Sequence, residues 1–317
     1  MAASGDHKHS TDGDSEGIDV ALYSRNMTEL SRPVMRRVRA LKKNQLEIID
    51  VNAKFSQRMH ELIKEFEPLF DTAYQKRKAI VVGEHEPKDS ECDVPLIHGI
   101  EQEELKKLEE SAPAETSPSK GVPQFWLQSM CNTLTLATMI GDQDAEVLKY
   151  LNDVTSQAHV NPNGFTLFFH FAENPYFADR VLKKEYEIQI TPDPEDPFDY
   201  DGPIVTKCKG MPIQWYAGKD VTKVEIKDEE TGAVLPFESF FKFFDDKSKQ
   251  ATDDGEDNEN EEIMDDFAIG MFIRDELIPR AVLYFTGEKD DEEDFCGSDD
   301  DESDDKNEEA KAEKMEE

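Results

Sequence analysis

Carboxylates are the chemically capable groups this chain has in quantity: 72 Asp and Glu against 36 Lys and Arg. The other reactive types do not assemble into a catalytic pattern. The chain contains no Gly-x-Ser-x-Gly elbow, no Gly-x-x-x-x-Gly-Lys phosphate loop, no Gly-x-Gly-x-x-Gly turn and no His-Glu-x-x-His pair. His60, His98, His159 and His170 are scattered, a pattern expected of satisfied or exposed histidines rather than ligands. Cys92, Cys131, Cys208 and Cys296 lie far apart with no Cys-x-x-Cys pair, so they are expected to be reduced thiols of an intracellular protein. The loop Asp193 to Gly202 invites a calcium reading. Setting Gly202 at the sixth place of an EF-hand loop, however, puts Pro197 first and Cys208 twelfth, where carboxylates are needed. No metal, no cofactor and no enzymatic activity are expected.

What the carboxylates can do is electrostatic. The formal net charge is −36, which excludes binding to DNA by phosphate neutralisation. Asp253 to Asp266 holds nine acidic residues and no basic one, and Glu288 to the end holds seventeen against four. Such runs can simply solvate a protein. Here they flank the apolar segment Phe267 to Phe285, and their summed field attracts strongly basic partners and speeds encounter with them.

The elements that must position these charges begin with one long helix. From Pro33 to about Tyr74 the apolar residues step by four and three, with Gln45 and Asn52 filling two gaps: Val34, Val38, Leu41, Ile48, Phe55, Met59, Leu62, Phe66, Leu69 and Ala73. A period of 3.5 residues seeks another helix. Ser31 is placed to cap the start, Pro33 suits the first turn, and Pro68 should kink or end the rod. The stripe is too long for one small domain to cover. Pairing with a second copy of the chain is therefore expected, through Val38, Leu41, Ile48, Phe55, Met59, Leu62 and Phe66. The less favoured reading is a monomeric bundle, although only one such helix is visible.

The rest divides by composition. Residues 1 to 20 form a polar lead with no apolar leader core, and no apolar run reaches the ~20 residues of a membrane span. A short helix is expected over 18–30, the long-helix region over 21–82, and a connector with one charged helix near 101–110 over 83–121. From 122 to 286 helices are expected to open at Phe125 and over Asp142–Leu151. Strands are expected over 165–171, 181–190, 204–209 and 221–227, with the Asn161-Pro-Asn-Gly164 turn before them. The aromatic run Phe237 to Phe244 should pack under the sheet, 251–266 should be an acidic loop, and Phe267 to Phe285 an amphipathic helix broken near Pro279. A disordered acidic tail over 287–317 is expected to complete the chain. The fold class is α+β: a long antiparallel dimerisation helix plus a domain with a four-stranded antiparallel sheet packed on helices.

Several of these segments resemble one family. GVPQFWLQSM, DQDAEVLKYL, NGFTLFFHFAENPYFADRVLKKEYEI, ESFFKFFDD and IGMFIRDELIPRAVLYFTGE with an acidic tail behind it are similar to the nucleosome assembly proteins. So is the long-helix segment from Arg37 to Arg77, and the resemblance runs unbroken from about residue 25 to 288. It implies a histone chaperone, dimeric through antiparallel long helices, whose sheet and helices form a concave acidic surface for core histones. It further implies histone transport, shuttling between nucleus and cytoplasm, and nuclear transport receptors as partners, with no direct DNA or membrane binding. Two departures stand out. The hairpin region Val224 to Leu235 has little of the basic charge many members carry as an import signal, and Asp245-Asp246-Lys247 stands where many have proline.

On that reading the candidate histone-binding residues are Asp142, Asp144, Glu146 and Asp153 on one helix, with Glu261, Glu262, Asp265 and Asp266. Ser298, in Gly-Ser-Asp-Asp-Asp, suits an acid-directed kinase. Two rival readings are a related subfamily that inhibits a phosphatase and histone acetylation, and a cytoplasmic coiled-coil scaffold whose acidic ends only keep it soluble.

Overall fold

The computed structural model describes residues 30–112, 120–223, 226–227, 234–235, 239–247 and 257–289. The expected polar lead, most of the 18–30 helix, the acidic tail beyond 289, Ser298 and most of the 224–235 hairpin lie outside them, as does the side chain of Glu261.

Helix α1, Arg32–Val81, is 50 residues long, a rod of roughly 75 Å. Ser31 occupies the cap position but its side chain makes no capping bond. The helix also runs through Pro68 rather than ending there. The lost N–H costs one rung of the ladder, while anchors on both sides hold the rod to one domain. Gln57 bonds Asn163, the Glu67 carboxylate accepts from the Ala158 amide, and Arg77 donates to the Ile278 carbonyl. The Arg77 guanidinium is sandwiched by Tyr74 and Trp126, 4.7 and 4.9 Å from the ring centroids.

After α2, Gln102–Ser111, the chain returns to the end of α1, where the Val122 amide donates to the Val81 carbonyl at 2.9 Å. Gly121 makes that approach possible: it has φ +65°, and a β-carbon there would lie 2.1 Å from the Val81 oxygen. Three short helices follow, α3 Phe125–Cys131, α4 Leu134–Ala137 and α5 Asp142–Leu148. The sheet is a plain meander of β1 Leu151–Val160, β2 Asn163–Phe171, β3 Val181–Gln189 and β4 Ile204–Gly210, in the order β1-β2-β3-β4, all antiparallel. A small ribbon pairs β5 Ile226–Lys227 with β6 Val234–Leu235. A 3-10 turn, Phe240–Phe244, leads to α6 Asp257–Phe272, a π turn Ile273–Leu277 and α7 Ile278–Thr286.

The α+β class and the four-stranded antiparallel sheet are as expected, but the strand list shifts by one. The helix from Asp142 stops at Leu148, and residues 151–160 form β1. The stretch 221–227 is instead a 3-10 turn followed by a two-residue strand outside the main sheet. The segment 257–266, expected as loop, is the first half of α6.

Alternation gives the sheet one dry face and one polar face. Val154, Ala158, Phe165, Leu167, Phe169, Leu182, Tyr186 and Cys208 all point to the buried side. There they meet Phe240, Phe241, Phe243 and Phe244, with the Phe169 and Phe244 rings edge to face at 5.1 Å. Gly270 lets α6 lie directly on β3, because a β-carbon would meet the Tyr186 ring at 2.5 Å. The opposite face carries Asp153, Thr155, Thr166, Phe168, His170, Lys183 and Glu185 in matching register, and β1 on this face lies against α1.

Candidate functional site

Seven of the eight candidate acids separate into three groups, the side chain of Glu261 lying outside the described residues. Asp142 and Glu146 are exposed on α5, and Glu262 and Asp265 are exposed on α6. Glu146 pairs with Lys149 three residues on, an exposed contact of small net value. Their helices hold these four toward solvent, where they can meet a polycation.

Asp144 and Asp266 were expected on the same surface and are not on it. Asp144 is fully buried, since the amphipathic face of α5 that carries Val147 and Leu148 inward takes Asp144 with it. Its carboxylate accepts from Ser239 Oγ at 2.5 Å, the Phe240 amide at 3.0 Å and the Gly141 amide at 3.1 Å. Burial raises its pKa, and those three bonds pull it partly back. Asp144 is thus the post that ties the aromatic turn to α5. Asp266, 2% exposed, bonds the wholly buried Lys184 at 2.9 Å and Tyr186 Oη at 2.9 Å, with Lys247 at 3.6 Å. Lys184 also donates to the Asp245 carbonyl at 3.1 Å. Burial, followed by the Asp266 charge, pushes the Tyr186 phenol well above its usual range, and the Cys208 thiol beside them up to about 12. Neither Asp144 nor Asp266 can reach a partner without opening the core, which removes both from the candidate surface.

Asp153 is the third case. It was expected on the α5 helix and sits instead on β1, 1% exposed, on the polar face beneath α1. Lys78 Nζ is 3.8 Å away, and neither carboxylate oxygen has a well-formed hydrogen bond. Burial raises its pKa from 3.8 to about 6, with Lys78, Arg77 and the adjacent Val154 amide offsetting part of the cost. His170, opposite it on β2, has its pKa lowered, again chiefly by burial.

The apolar stripe of α1 is largely uncovered in the single chain. Leu41 and Phe55 are 66% and 65% exposed, and Ile48, Met59, Leu62 and Phe66 are also exposed. Val38 is half-buried. The inward side of the same helix is carried by Ile49, Ala53 and His60, with the His60 ring Nε2 2.7 Å from the His159 carbonyl. Among the described residues no group of His, Cys, Asp and Glu could hold a metal ion, and no helix is long and apolar enough to cross a membrane.

The Nucleosome assembly protein (NAP) family model matches residues 36–288. The chain belongs to the nucleosome assembly protein family. Within it, "Nucleosome assembly protein 1-like 1-A" of Xenopus laevis is 37% identical over 287 residues, covering 84% of this chain and 72% of that protein. "Nucleosome assembly protein 1-like 4" of Homo sapiens is 35% identical over 285 residues, covering 82% and 75%. Among solved structures, nucleosome assembly protein 1 from Plasmodium knowlesi superposes with a TM-score of 0.51 at 26% identity, over 82% of this chain and 99% of that one. The family match spans α1, the sheet, the aromatic turn, α6 and α7, so the buried Asp144 and Asp266 anchors and the exposed α1 stripe all fall inside it.

Proposed function

We propose that this chain is a histone chaperone that works as a homodimer, binding core histones through exposed carboxylates and promoting nucleosome assembly without ATP. The observation that carries the reading is the family match over 253 consecutive residues, 36–288, to proteins named for assembling nucleosomes. The physical argument agrees with it. Histones are polycations that DNA binds without sequence preference, and a carrier at −36 competes for the same cationic surface while being repelled by DNA itself. Asp142, Glu146, Glu262 and Asp265 are the folded contribution, with Glu261 beside them in sequence and the acidic tail adding a contact that needs no fixed geometry. Charge competition supplies its own driving force, so no nucleotide is required.

The dimer is part of the proposal. Antiparallel pairing of two α1 rods would cover Leu41, Ile48, Phe55, Met59, Leu62 and Phe66 and place two domains at opposite ends, each presenting its acids. Transport of histones, residence in both nucleus and cytoplasm, engagement of nuclear transport receptors and phosphorylation of Ser298 belong to the same reading. Phosphate on Ser298 would deepen the charge of the tail. Mass spectrometry of protein from its native source, with full coverage of the tail and no phosphate, would remove that element.

The deciding experiment mixes purified core histones, plasmid and this protein near physiological salt, followed by nuclease digestion. A protected ladder without ATP is expected, weakening as salt rises because exposed charges are screened over ~8 Å. Precipitation identical to the control without this protein would overturn the reading.

A further inference from the structure

The polar face of the sheet meets α1 across a pocket of about 310 Å3 that opens to solvent. Glu67, Asp71 and Lys78 line it from α1, Asp153 from β1, and Phe168 and His170 from β2. Both oxygens of Asp153 are buried without a well-formed hydrogen bond. A carboxylate left in that condition costs free energy that the fold could have avoided with an asparagine or a leucine. Lys78, Arg77 and the Val154 amide relieve only part of it. Lys78 stands off at 3.8 Å, and Glu67 is already engaged with the Ala158 amide and Lys64. Asp71 is exposed, adding a second negative charge at the wall of the pocket. Glu67, Asp71 and Asp153 thus line the pocket with Lys78, while Lys64 pairs with Glu67 and the charge of Arg77 acts on Asp153, so among the described residues Asp71 is the carboxylate there left without a cation of its own. The Phe168 ring offers an apolar wall of the kind along which an alkyl stem lies.

We propose that this pocket receives one lysine or arginine side chain of a basic protein partner, with Asp153 as its buried counter-ion and Asp71 as the second negative charge. The inserted ammonium or guanidinium donates to the two carboxylate oxygens, and a charge-assisted bond in so dry a place is stronger than one on the surface. The exposed acids and the tail attract polycations without regard to position, whereas this pocket accepts one side chain at one place, which fixes register. The proposal rests on the chaperone reading for its choice of partner, since histones are the basic proteins in question, but the pocket can be tested without them.

The test uses the full chain, its variants Asp153→Asn, Asp71→Asn and Asp93→Asn, the last at an exposed acid of the connector, and calorimetric titration near physiological salt. The probes are a short synthetic lysine–glycine peptide, the same peptide with every lysine acetylated, and purified core histones. The unmodified peptide is expected to bind the wild type and to lose about tenfold in affinity with Asp153→Asn. A few-fold loss is expected with Asp71→Asn and less than about twofold with the exposed Asp93→Asn. Acetylation should abolish the difference among the four proteins. Equal peptide affinity for wild type and Asp153→Asn would overturn the proposal and leave the pocket to water. If circular dichroism shows Asp153→Asn misfolded, Asp71→Asn decides, and its equality with Asp93→Asn would overturn the proposal. The two readings fail separately. Peptide binding that depends on Asp153, with no histone binding, sinks the chaperone and keeps the pocket. Histone and peptide binding indifferent to Asp153 do the reverse.

Discussion

Asp153→Asn should make the protein more stable at neutral pH, and the gain should shrink in acid. The folded pKa is raised from 3.8 to about 6, chiefly by burial, so the fold prefers the protonated carboxyl. Above pH 6 the folded chain must hold an ionised group beneath α1, while the unfolded chain ionises it in water. Between the two pKa values the unfolded state therefore binds fewer protons, and stability falls as pH rises from about 4 to about 6, staying level above. At ~1.4 kcal/mol per pH unit the cost is about 3 kcal/mol, an upper value because water entering the pocket solvates part of the charge.

Asparagine has the shape of the protonated form and carries no charge, so the variant escapes this cost at every pH. Urea denaturation followed by circular dichroism at pH 8 should show the variant ahead by about 1–3 kcal/mol, or roughly 2 to 10 °C in a thermal scan. At pH 5 the gap should close to about half, since the wild-type carboxylate is by then largely protonated when folded. A pI near 4.5 sets pH 5 as the practical lower limit for soluble protein. The neighbouring His170 has its pKa lowered and works in the opposite direction, losing stability as pH falls through the histidine range. It is present in both proteins and cancels in the difference. A variant less stable than wild type at pH 8, or a gap that does not change between pH 8 and pH 5, would refute the argument. The carboxylate would then be held by a structural bond.

Other substitutions separate the remaining roles. Placing glutamate at Leu62 and Phe66 puts charge into the expected helix–helix seam; sedimentation should show monomer where the wild type is dimeric, and a wild type already monomeric at low micromolar concentration would remove the dimer. Deleting residues 288–317, which contain the single aromatic Phe295, should leave the melting temperature nearly unchanged and weaken histone affinity at moderate salt; a fall of many degrees would mean the tail is docked. Asp144→Ala strands Ser239 Oγ and the amides of Phe240 and Gly141 inside the core, so urea unfolding should show a loss of about 2–4 kcal/mol, whereas Asp142→Ala should cost less than about 0.5 kcal/mol.

How much of this was legible in the sequence depended on whether the pattern was local. The α1 stripe, the Phe165–Phe171 strand and the buried aromatic turn declare themselves by period or composition over a few residues. Strand β1 did not. Its inward positions Val154, Ser156 and Ala158 are small, and Asp153, Gln157 and His159 between them read as a solvated segment rather than one side of a sheet. The helix through Pro68 was equally hidden, because the anchors that hold it are residues 91 and 201 positions away in the chain. The acids were the hardest to place. Asp144, two residues from Asp142, is turned inward by a seven-residue helix, and what distinguishes it is the pair of donors arriving from Ser239 and Phe240. No spacing rule within DQDAEVL announces that.

The same comparison bears on why an acidic protein keeps buried acids at all. Asp144 and Asp266 are each engaged, one by three donors and the other by Lys184 and Tyr186, so their burial fixes geometry, and the three donors offset part of the cost of burying Asp144. Asp153 is buried at similar depth, yet the donors around it are incomplete, and burial raises its pKa to about 6. Anchors of the first kind hold the aromatic turn and α6 against the sheet whether or not a partner is bound. A carboxylate of the second kind gains its missing donors only when a cation arrives, so the free energy withheld from folding is available to binding. That difference makes the junction of α1 with β1 the place where an otherwise diffuse field of charge acquires a defined position.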